Sequence, residues 1–237
     1  MSEPTVKALV CDTFGTVVDW RGSIVREGQQ RWAAKLPGVD WGAFADAWRG
    51  RYRPAMNKVR TGELPWTSLD VLHRMMLEDT LTQFGVTGLS EADKADLNNV
   101  WRRLSGWPDS APGLLRLKQR YIIAPLSNGS VAILTNMAKF AGLPWDVILS
   151  TELFHHYKPD PETYLGAAAM LDLLPGEVMM VAAHQDDLNS AKALGLRTAY
   201  IHRPDEGGPR GVPVRPAADA YDYVVDGFVE LAERMGA

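Results

Sequence analysis

Six short hydrophobic runs recur along the chain, and each is about as long as a β-strand. They occupy residues 6–11, 121–126, 147–150, 178–183, 198–201 and 223–225. Continuous hydrophobic runs of this length are typical of strands that are buried on both faces, as in parallel sheets. The first run stands alone near the start of the sequence, whereas the other five follow residue 120.

Helix-length segments at 130–141, 161–173, 187–194 and 227–235 lie between or after the later runs. Strands that alternate with helices predict an α/β fold with a Rossmann-like, doubly wound parallel sheet. The ligand site of such a sheet lies at the carboxyl ends of its strands. Pro125 falls inside the second run. Because proline cannot donate to a strand ladder, we expect the limits of that strand to differ from those of the run.

Residues 20–102 show helical patterns and no convincing strand. Trp48, Tyr52 and Met56 recur four residues apart, as on one face of a helix. Pro54 interrupts this pattern and should kink or split the helix. Aromatic side chains at such spacing are mainly expected in the hydrophobic core.

Ser90 and Asp93 can cap a further helix that leads to Trp101. We therefore predict an all-helical cap of residues 20–102, inserted after the first strand and closing over the carboxyl edge of the sheet. The core would consist of residues 1–19 and 103–237.

The charge balance restricts the function of the 237-residue chain, which has a net charge of −4 and 46% hydrophobic residues. This balance argues against general binding to nucleic acids or membrane surfaces, so basic residues should act locally on a small anion. Cys11 is the only cysteine, which excludes a disulfide framework and a cysteine-rich metal site. No run approaches the ~18 apolar residues that span a bilayer, and the start lacks a leader pattern. We expect a cytoplasmic protein.

Asp12 directly follows the first hydrophobic run and begins the segment Asp-Thr-Phe-Gly-Thr. A carboxylate at this position would lie at the carboxyl edge of the sheet, where the backbone amides of the next turn can bind a substrate anion. Taken alone, Asp12 could equally be a residue that only caps the turn.

Polar residues follow other predicted strands and should meet at the same edge. Ser127 and Asn128 come after the second run, Lys158 lies in a loop just before a proline, and Asp187 follows the run at 178–183. The hydroxyl of Ser127, the amide of Asn128 and the ammonium of Lys158 can bind an anion. Ordinary turn chemistry also explains Ser127 and Asn128, and a solvated surface charge explains Lys158.

These motifs in this order resemble the haloacid dehalogenase superfamily: a strand with Asp-x-x-x-Thr, then Leu-Ser-Asn, then Lys-Pro, then an acidic loop with Ala-Lys-Ala-x-Gly. The resemblance spans nearly the whole chain and implies the same core with a cap after the first strand. It implies that Asp12 is a covalent nucleophile and that Lys158 neutralises the nucleophile and its adduct. The other positions that it marks are Thr16, Ser127, Asn128 and Asp187.

Two positions depart from the phosphatases of that superfamily. Phosphatases carry a second aspartate two residues after the nucleophile, where this chain has Phe14, and a magnesium-binding acid four residues before Asp187, where it has Ala183. A leaving alkoxide needs a proton and a halide does not, and alanine cannot ligate a metal. We expect carbon–halogen cleavage with no metal or cofactor. The alternatives are a phosphatase or phosphonate-cleaving enzyme, and a catalytically silent member that binds a small anion.

Arg49 follows a tryptophan, and this pair resembles the Trp-Arg pair of 2-haloacid dehalogenases, whose arginine binds the departing halide. The resemblance also implies that Asn128 faces the halogen and that Tyr164 lies near the lysine. A surface arginine and a helix-core tyrosine are the ordinary explanations for Arg49 and Tyr164.

The implied reaction is the hydrolysis of short 2-haloalkanoic acids, haloacetates included, to 2-hydroxy acids through an ester on Asp12. The substrate carboxylate would bind Ser127 and the backbone amides of Thr13 and Phe14. The haloacid is the expected partner, with no nucleic acid and no membrane, and family resemblance implies a homodimer.

The sequence departs from the 2-haloacid dehalogenases at the last motif, where a Ser-Ser-Asn stretch is replaced by Ala-Ala-His ending at His184. Our hypothesis is that His184 orients or deprotonates the hydrolytic water, with Asp187 behind it. A histidine that is merely bonded within the loop is the alternative. The Pro/Gly-rich stretch 204–216 is predicted to be a surface loop, and no chemistry is assigned to it.

Overall fold

The computed structural model describes residues 5–208 and 211–237 and is built around one parallel sheet. Its six strands are β1 (Ala8–Cys11), β4 (Ile122–Ser127), β5 (Leu149–Ser150), β6 (Val178–Ala182), β7 (Arg197–Ile201) and β8 (Tyr223–Val225). They lie in the order β5-β4-β1-β6-β7-β8, and each neighbouring pair is parallel. Each strand coincides with a predicted hydrophobic run, so the predicted sheet is confirmed.

The chain leaves the sheet and returns to it through a short antiparallel ribbon, formed by β2 (Val18–Asp19) and β3 (Ser105–Gly106). As predicted, the residues between these two strands form only helices and loops. They comprise α1 (Trp20–Glu27), a π-helix (Gly28–Trp32), α2 (Trp41–Gly50), α3 (Tyr52–Arg60), α4 (Leu69–Gln83), α5 (Glu91–Asn98) and a 3-10 helix (Asn99–Arg102). We call residues 20–102 the helical insert.

The break expected at Pro54 is present, because α2 ends at Gly50 and α3 begins at Tyr52. Pro54 is the third residue of α3, where a helix has no internal partner for the backbone N–H that proline lacks. The N-terminal capping of a helix by Ser90 and Asp93 is also confirmed, because the two residues form a reciprocal capping box at the start of α5.

Five helices cover the sheet outside the helical insert. They are α6 (Ser110–Leu117), α7 (Val131–Ala141), α8 (Pro161–Met170), α9 (Gln185–Ala193) and α10 (Phe228–Arg234). The last four match the predicted helices, with α8 three residues shorter than expected. Helix α6 was not predicted, and it contains Pro112 and Gly113, both unfavourable within helices. No helix in the described part of the chain is long and apolar enough to cross a membrane.

Pro125 fits inside β4 because the sheet needs no donor there. The backbone N–H and C=O of Ile123 face the β5 side, where both bond Asp146. Pro125, two residues further on, faces the same side. Pairing between β4 and β5 begins only at Leu126, so the proline nitrogen falls just before the first paired residue. As expected, the limits of the strand differ from those of the run: β4 ends at Ser127, one residue beyond it.

One hydrophobic cluster joins the sheet to the helical insert. It contains Leu9 and Met179 from the sheet together with Trp20, Trp48 and Trp101 from the insert, each at most 1% exposed. Most tryptophans of the insert are therefore core residues, as expected from their spacing. Because burial of such large side chains is strongly favourable, this cluster holds the insert against the core.

The packing of α6 against α10 can be tested at Gly113. A Cβ atom there would lie 2.4 Å from the backbone carbon of Phe228, so Gly113→Ala forces two helix backbones apart. We expect the free energy of unfolding, measured by urea titration, to fall by about 1–3 kcal/mol. Gly50→Ala is the matched control: it meets no atom within 4 Å and should be neutral or stabilising. Equal urea midpoints for Gly113→Ala and the parent protein would contradict this packing.

Candidate active site

Asp12 follows β1 and lies at the carboxyl edge of the sheet, as predicted. Its backbone N–H donates to the carbonyl of Val181 on β6, 2.9 Å away. Its side chain is nearly buried, with the residue 7% exposed. Thr16 donates its hydroxyl to Oδ2 at 2.7 Å, and the ammonium of Lys158 donates to Oδ1 at 2.9 Å. The carboxylate is therefore fixed from two directions.

Lys158 joins two buried carboxylates. Its Nζ lies 2.9 Å from Asp12 Oδ1 and 2.5 Å from Asp187 Oδ2. The hydroxyl of Tyr164 donates to the other oxygen of Asp187 at 2.5 Å. The structure thus brings together four predicted residues from β1, α8, α9 and the loop before α8. Lys158 is not a solvated surface charge, because its side chain is only 7% exposed.

These contacts set the charges of the group. Burial disfavours ionisation of Asp12, but Lys158 and the hydrogen bonds from His184 and Thr16 outweigh it and hold the pKa of Asp12 below its usual range. Burial likewise opposes the charge on Lys158, yet Asp12 and Asp187 raise its pKa. The pKa of Asp187 is raised by burial and by the neighbouring Asp12. The ionised form is therefore favoured more strongly at Asp12 than at Asp187.

The turn after β1 organises the opposite side of Asp12. Thr16 receives the backbone N–H of Ala183 on its hydroxyl oxygen at 2.9 Å while it donates to Asp12, so it ties the turn to the end of β6. Thr13 is buried, and its hydroxyl has no partner among the described residues. The ring of Phe14 packs edge-on against Trp101, with 5.7 Å between the ring centroids. An apolar ring thus occupies the position two residues after Asp12.

Arg49 reaches into the same cavity from α2. Its guanidinium carbon lies 3.9 Å from the ring centroid of Tyr52, 5.5 Å from that of Trp20 and 5.6 Å from that of Phe14. Its Nη1 is buried and has no hydrogen-bond partner among the described residues. Aromatic faces stabilise a cation without neutralising its charge. Arg49 can therefore receive a small anion.

Asn128 lines the cavity, whereas Ser127 lies behind it. The side-chain oxygen of Asn128 accepts the backbone N–H of Lys158 at 2.8 Å, and its amide nitrogen donates to the sulfur of Met56 at 3.3 Å. A thioether is a weak acceptor, so this amide can turn to a stronger one. The hydroxyl of Ser127 accepts the N–H of Gly129 at 3.3 Å, and the role of Ser127 in binding a substrate carboxylate stays a prediction.

His184 lies between two carboxylates, and one of them was not expected. Its Nδ1 is 3.1 Å from Asp12 Oδ2, while its Nε2 is 3.0 Å from Glu206 Oε1. The prediction that Asp187 stands behind His184 is wrong, because Asp187 is engaged by Lys158 and Tyr164 instead.

Glu206 is the functional residue that sequence reasoning missed. It belongs to the 204–216 stretch, to which we assigned no chemistry, although residues 209 and 210 of that stretch lie outside the described part of the chain. It also accepts a hydrogen bond from the indole of Trp20 at 3.3 Å. The available signal was its position soon after β7, whose carboxyl end opens at the same edge of the sheet as Asp12.

The two partners of His184 also set its charge. Burial opposes a charged imidazole, but Glu206 and Asp12 together raise the pKa of His184 well above its usual value. Burial opposes the charge on Glu206, but His184, together with Arg49 and Trp20, outweighs it and lowers the pKa of that carboxyl group.

The cavity that contains these groups has a volume of about 690 Å³. Two ion pairs join the helical insert to the core at its rim: Arg60 with Asp160 at 2.7 Å, and Arg53 with Asp186. Within residues 5–208 and 211–237, no group of three His, Cys, Asp or Glu side chains is arranged to hold a metal ion.

Comparison with known proteins shows the family of the chain. The family model described as haloacid dehalogenase-like hydrolase matches residues 6–195, and the chain belongs to that family. The crystal structure of the L-2-haloacid dehalogenase PA0810 is 43% identical, has a TM-score of 0.90 and matches over 97% of this chain and 99% of its own. That of the defluorinating L-2-haloacid dehalogenase Rha0230 is 43% identical, with a TM-score of 0.91 over 98% and 96%. (S)-2-haloacid dehalogenase 1 of Pseudomonas sp. (strain CBS-3) is 27% identical over 209 residues, 84% of this chain and 85% of the relative.

The central ion group predicts a pH-dependent stability. In Lys158→Met, Asp12 and Asp187 lose their shared cation, so burial and mutual repulsion should raise their folded pKa values above the unfolded ones. Groups shifted in this direction stabilise the protein at low pH and lose that stabilisation as the pH rises. We expect the variant to lose about 3–5 kcal/mol of unfolding free energy at neutral pH, and less at pH 5.

Urea titrations at pH 5 and pH 8 measure this difference. Lys7→Met is the matched control, because Lys7 pairs with Glu177 at the surface with its side chain 57% exposed, and exposed pairs contribute little. A loss in Lys158→Met that is the same at both pH values would argue against this ion group.

Proposed function

We propose that this protein hydrolyses short 2-haloalkanoic acids to 2-hydroxy acids and halide, through an ester on Asp12 and without a metal. The observation that carries the proposal is the pairing of the buried Asp12 carboxylate with Lys158, in a cavity where the guanidinium of Arg49 lies against aromatic rings and its Nη1 has no hydrogen-bond partner among the described residues. The relatives named as 2-haloacid dehalogenases support the same substrate class.

In the first step, Asp12 attacks the halogen-bearing α-carbon in line with the leaving halide, forming an ester. The halide departs toward Arg49 and the side-chain amide of Asn128. The substrate carboxylate binds near Ser127 and the backbone amides after Asp12, and Lys158 stabilises the reacting carboxylate. A halide leaves without a proton, so this step needs no general acid where Phe14 stands.

In the second step, water attacks the carboxyl carbon of the Asp12 ester and frees the 2-hydroxy acid. His184 is the group that orients and deprotonates this water, because its Nδ1 lies beside the Asp12 carboxyl group. Glu206 rather than Asp187 holds the other nitrogen of the ring. Arrangements of a base held by a carboxylate recur in enzymes that activate water or hydroxyl groups.

A phosphatase reaction is disfavoured by the same neighbourhood. It would require an acid near Asp12 to protonate the leaving alkoxide, and the ring of Phe14 packs into the aromatic cluster at that position. It would also require a cation to offset the repulsion between Asp12 and a phosphate dianion, and Ala183 supplies no metal ligand.

Residues 20–102 act as the cap of this site. A homodimer and a cytoplasmic location stay predictions from the sequence.

Replacing the nucleophile tests the first step. Asp12→Asn should abolish halide release from chloroacetate, bromoacetate and 2-chloropropionate, measured with a halide-sensitive assay, because an amide cannot form the ester. Asp219→Asn makes the same chemical change at an exposed position and should retain full activity. Addition of EDTA should leave the parent enzyme unchanged. Undiminished halide release by Asp12→Asn would refute the mechanism, and loss of turnover in EDTA would favour the phosphatase type.

Removing the imidazole tests the second step separately. His184→Ala should release halide in a first turnover but lower steady-state turnover by roughly 10²–10⁴-fold, the usual contribution of general acid–base catalysis. The ester should then accumulate, and mass spectrometry should find the added acid on the peptide that contains Asp12. His156→Ala, which removes a partly exposed histidine outside the cavity, is the control. Normal turnover by His184→Ala would eliminate its role in hydrolysis.

A further inference from the structure

The surroundings of His184 determine where its protons are before substrate reacts. Nδ1 is 3.1 Å from Asp12 Oδ2, and Nε2 is 3.0 Å and 3.1 Å from the two oxygens of Glu206. Ionised carboxylates only accept hydrogen bonds, whereas a neutral imidazole carries a single N–H. A neutral ring would therefore direct one lone pair at a carboxylate oxygen. Hydrogen bonds on both sides require His184 to be a cation in the resting site.

The other charged groups around this ring keep both carboxylates ionised. Lys158 binds Asp12, which follows β1, and it also binds Asp187 of α9. Arg49 of α2 acts on Glu206 by its charge, and the indole of Trp20 donates to Glu206 at 3.3 Å. His184 thus meets one carboxylate that reacts and one that does not.

We propose that formation of the Asp12 ester makes His184 release the proton it holds between Asp12 and Glu206, so that the base for hydrolysis appears only after the halide has left. This inference rests on the proposed function. Alkylation converts the negative Asp12 carboxylate into a neutral ester, so the imidazolium loses the attraction of the charge 3.1 Å away. Loss of such a neighbouring charge lowers a pKa by roughly 1–3 units. Burial, which disfavours the charged ring, acts in the same direction.

Atoms and charges balance over the two steps. In the first, the Asp12 oxygen forms a bond to the α-carbon as the carbon–halogen bond breaks, and the Nδ1 proton passes to solvent through the cavity. In the second, water adds to the ester carbon while Nδ1 accepts a water proton. The bond between the ester oxygen and the Asp12 carbonyl carbon then breaks, and its electron pair goes to that ester oxygen. The remaining water proton reaches this departing alkoxide, and the Asp12 carboxylate and the His184 imidazolium are restored.

The bond that breaks in the second step joins the ester oxygen to the Asp12 carbonyl carbon. The 2-hydroxy acid therefore keeps an oxygen that came from Asp12, and the oxygen of water stays on Asp12. The proton produced by the whole reaction is therefore the one that leaves in the first step. His184 has an open path for it, because its side chain is 31% exposed and lines the cavity.

Glu206 is the positioning residue of this device. It remains ionised after Asp12 has reacted, so it keeps the proton of Nε2 and leaves Nδ1 as the nitrogen with a free lone pair. That lone pair faces the Asp12 carboxyl group, where water must attack. Glu206 therefore determines which nitrogen becomes the base.

An NMR titration tests the discharge of His184 without turnover. Asn at position 12 has the shape of the carboxylate without its charge, so Asp12→Asn imitates the neutral ester. The imidazole signal, assigned by its loss in His184→Ala, should titrate roughly 1–3 pH units lower in Asp12→Asn than in the parent protein. Asp219→Asn should leave it unchanged. Identical His184 titrations in Asp12→Asn and the parent protein would overturn the proposal.

Glu206→Gln tests the second partner with the same signal. The His184 signal should titrate at lower pH in Glu206→Gln than in the parent protein. In Asp12→Asn, where Glu206 keeps its charge beside the ring, the nitrogen chemical shifts of the neutral imidazole should show the proton on Nε2. Adding Glu206→Gln to Asp12→Asn should remove this preference, an effect that a purely structural role would not produce. Glu63→Gln, at an exposed residue that pairs with Lys58, is the matched control. A His184 signal that is unmoved in Glu206→Gln would contradict the positioning role.

The time at which the proton appears tests the same idea during turnover. In a weakly buffered stopped-flow mixture of excess enzyme and 2-bromopropionate, a pH indicator should report one proton with each bromide released, before 2-hydroxy acid forms. Proton release that follows hydroxy acid formation would overturn the proposal. Failure of the proposed function would show as no halide release from any haloacid, which differs from proton release at the wrong time. The NMR comparison does not depend on turnover and tests the proton on His184 by itself.

Discussion

The ammonium of Lys158 is the interaction on which the rest of the site depends. Two carboxylates, Asp12 and Asp187, lie within 3 Å of its nitrogen, and all three side chains are largely buried at the wall of the cavity. Without the cation, burial and mutual repulsion would protonate at least one of them. The sheet makes this contact possible because strands that run in parallel deliver their following loops to one edge. A nucleophilic carboxylate can therefore be kept ionised by a neighbour from a distant part of the chain.

The hydrophobic core extends this arrangement to the leaving-group side. The aromatic residues of the helical insert belong to the same hydrophobic cluster as one face of the sheet, and three aromatic rings lie around the guanidinium of Arg49. His73, stacked on Trp101 with 4.2 Å between the ring centroids, is kept neutral because burial and the nearby Arg49 lower its pKa. The positive charge of Arg49 is thus left available to an anion, whereas Lys158 is committed to its two carboxylates.

Much of the fold and half of the site follow from local signals. Hydrophobic runs identify the strands and place Asp12 at a strand end and Lys158 before a helix start. Their roles were assigned only through the order of the motifs that resembles the haloacid dehalogenase superfamily. Glu206 could not be found in this way, since an irregular Pro/Gly-rich loop gives no periodicity from which to place a side chain. The partner of His184 was misassigned for the same reason. Proximity in sequence favoured Asp187, but residues at the start of a helix diverge around its axis, and a loop after a different strand provides the closer carboxylate.

The two carboxylates that share Lys158 differ because of their remaining neighbours. Asp12 also accepts hydrogen bonds from Thr16 and His184, and these donors stabilise its charged form. Asp187 accepts hydrogen bonds from Tyr164 and Lys158, and burial raises its pKa. The charged form is thus favoured more strongly at Asp12, as the proposed mechanism requires, while Asp187 fixes the position of the lysine ammonium. The two donors to Oδ2 differ in what can follow the reaction of Asp12. The proton of His184 can leave through the cavity once the charge of Asp12 is lost, whereas Thr16 is fully buried and tied to the backbone of Ala183.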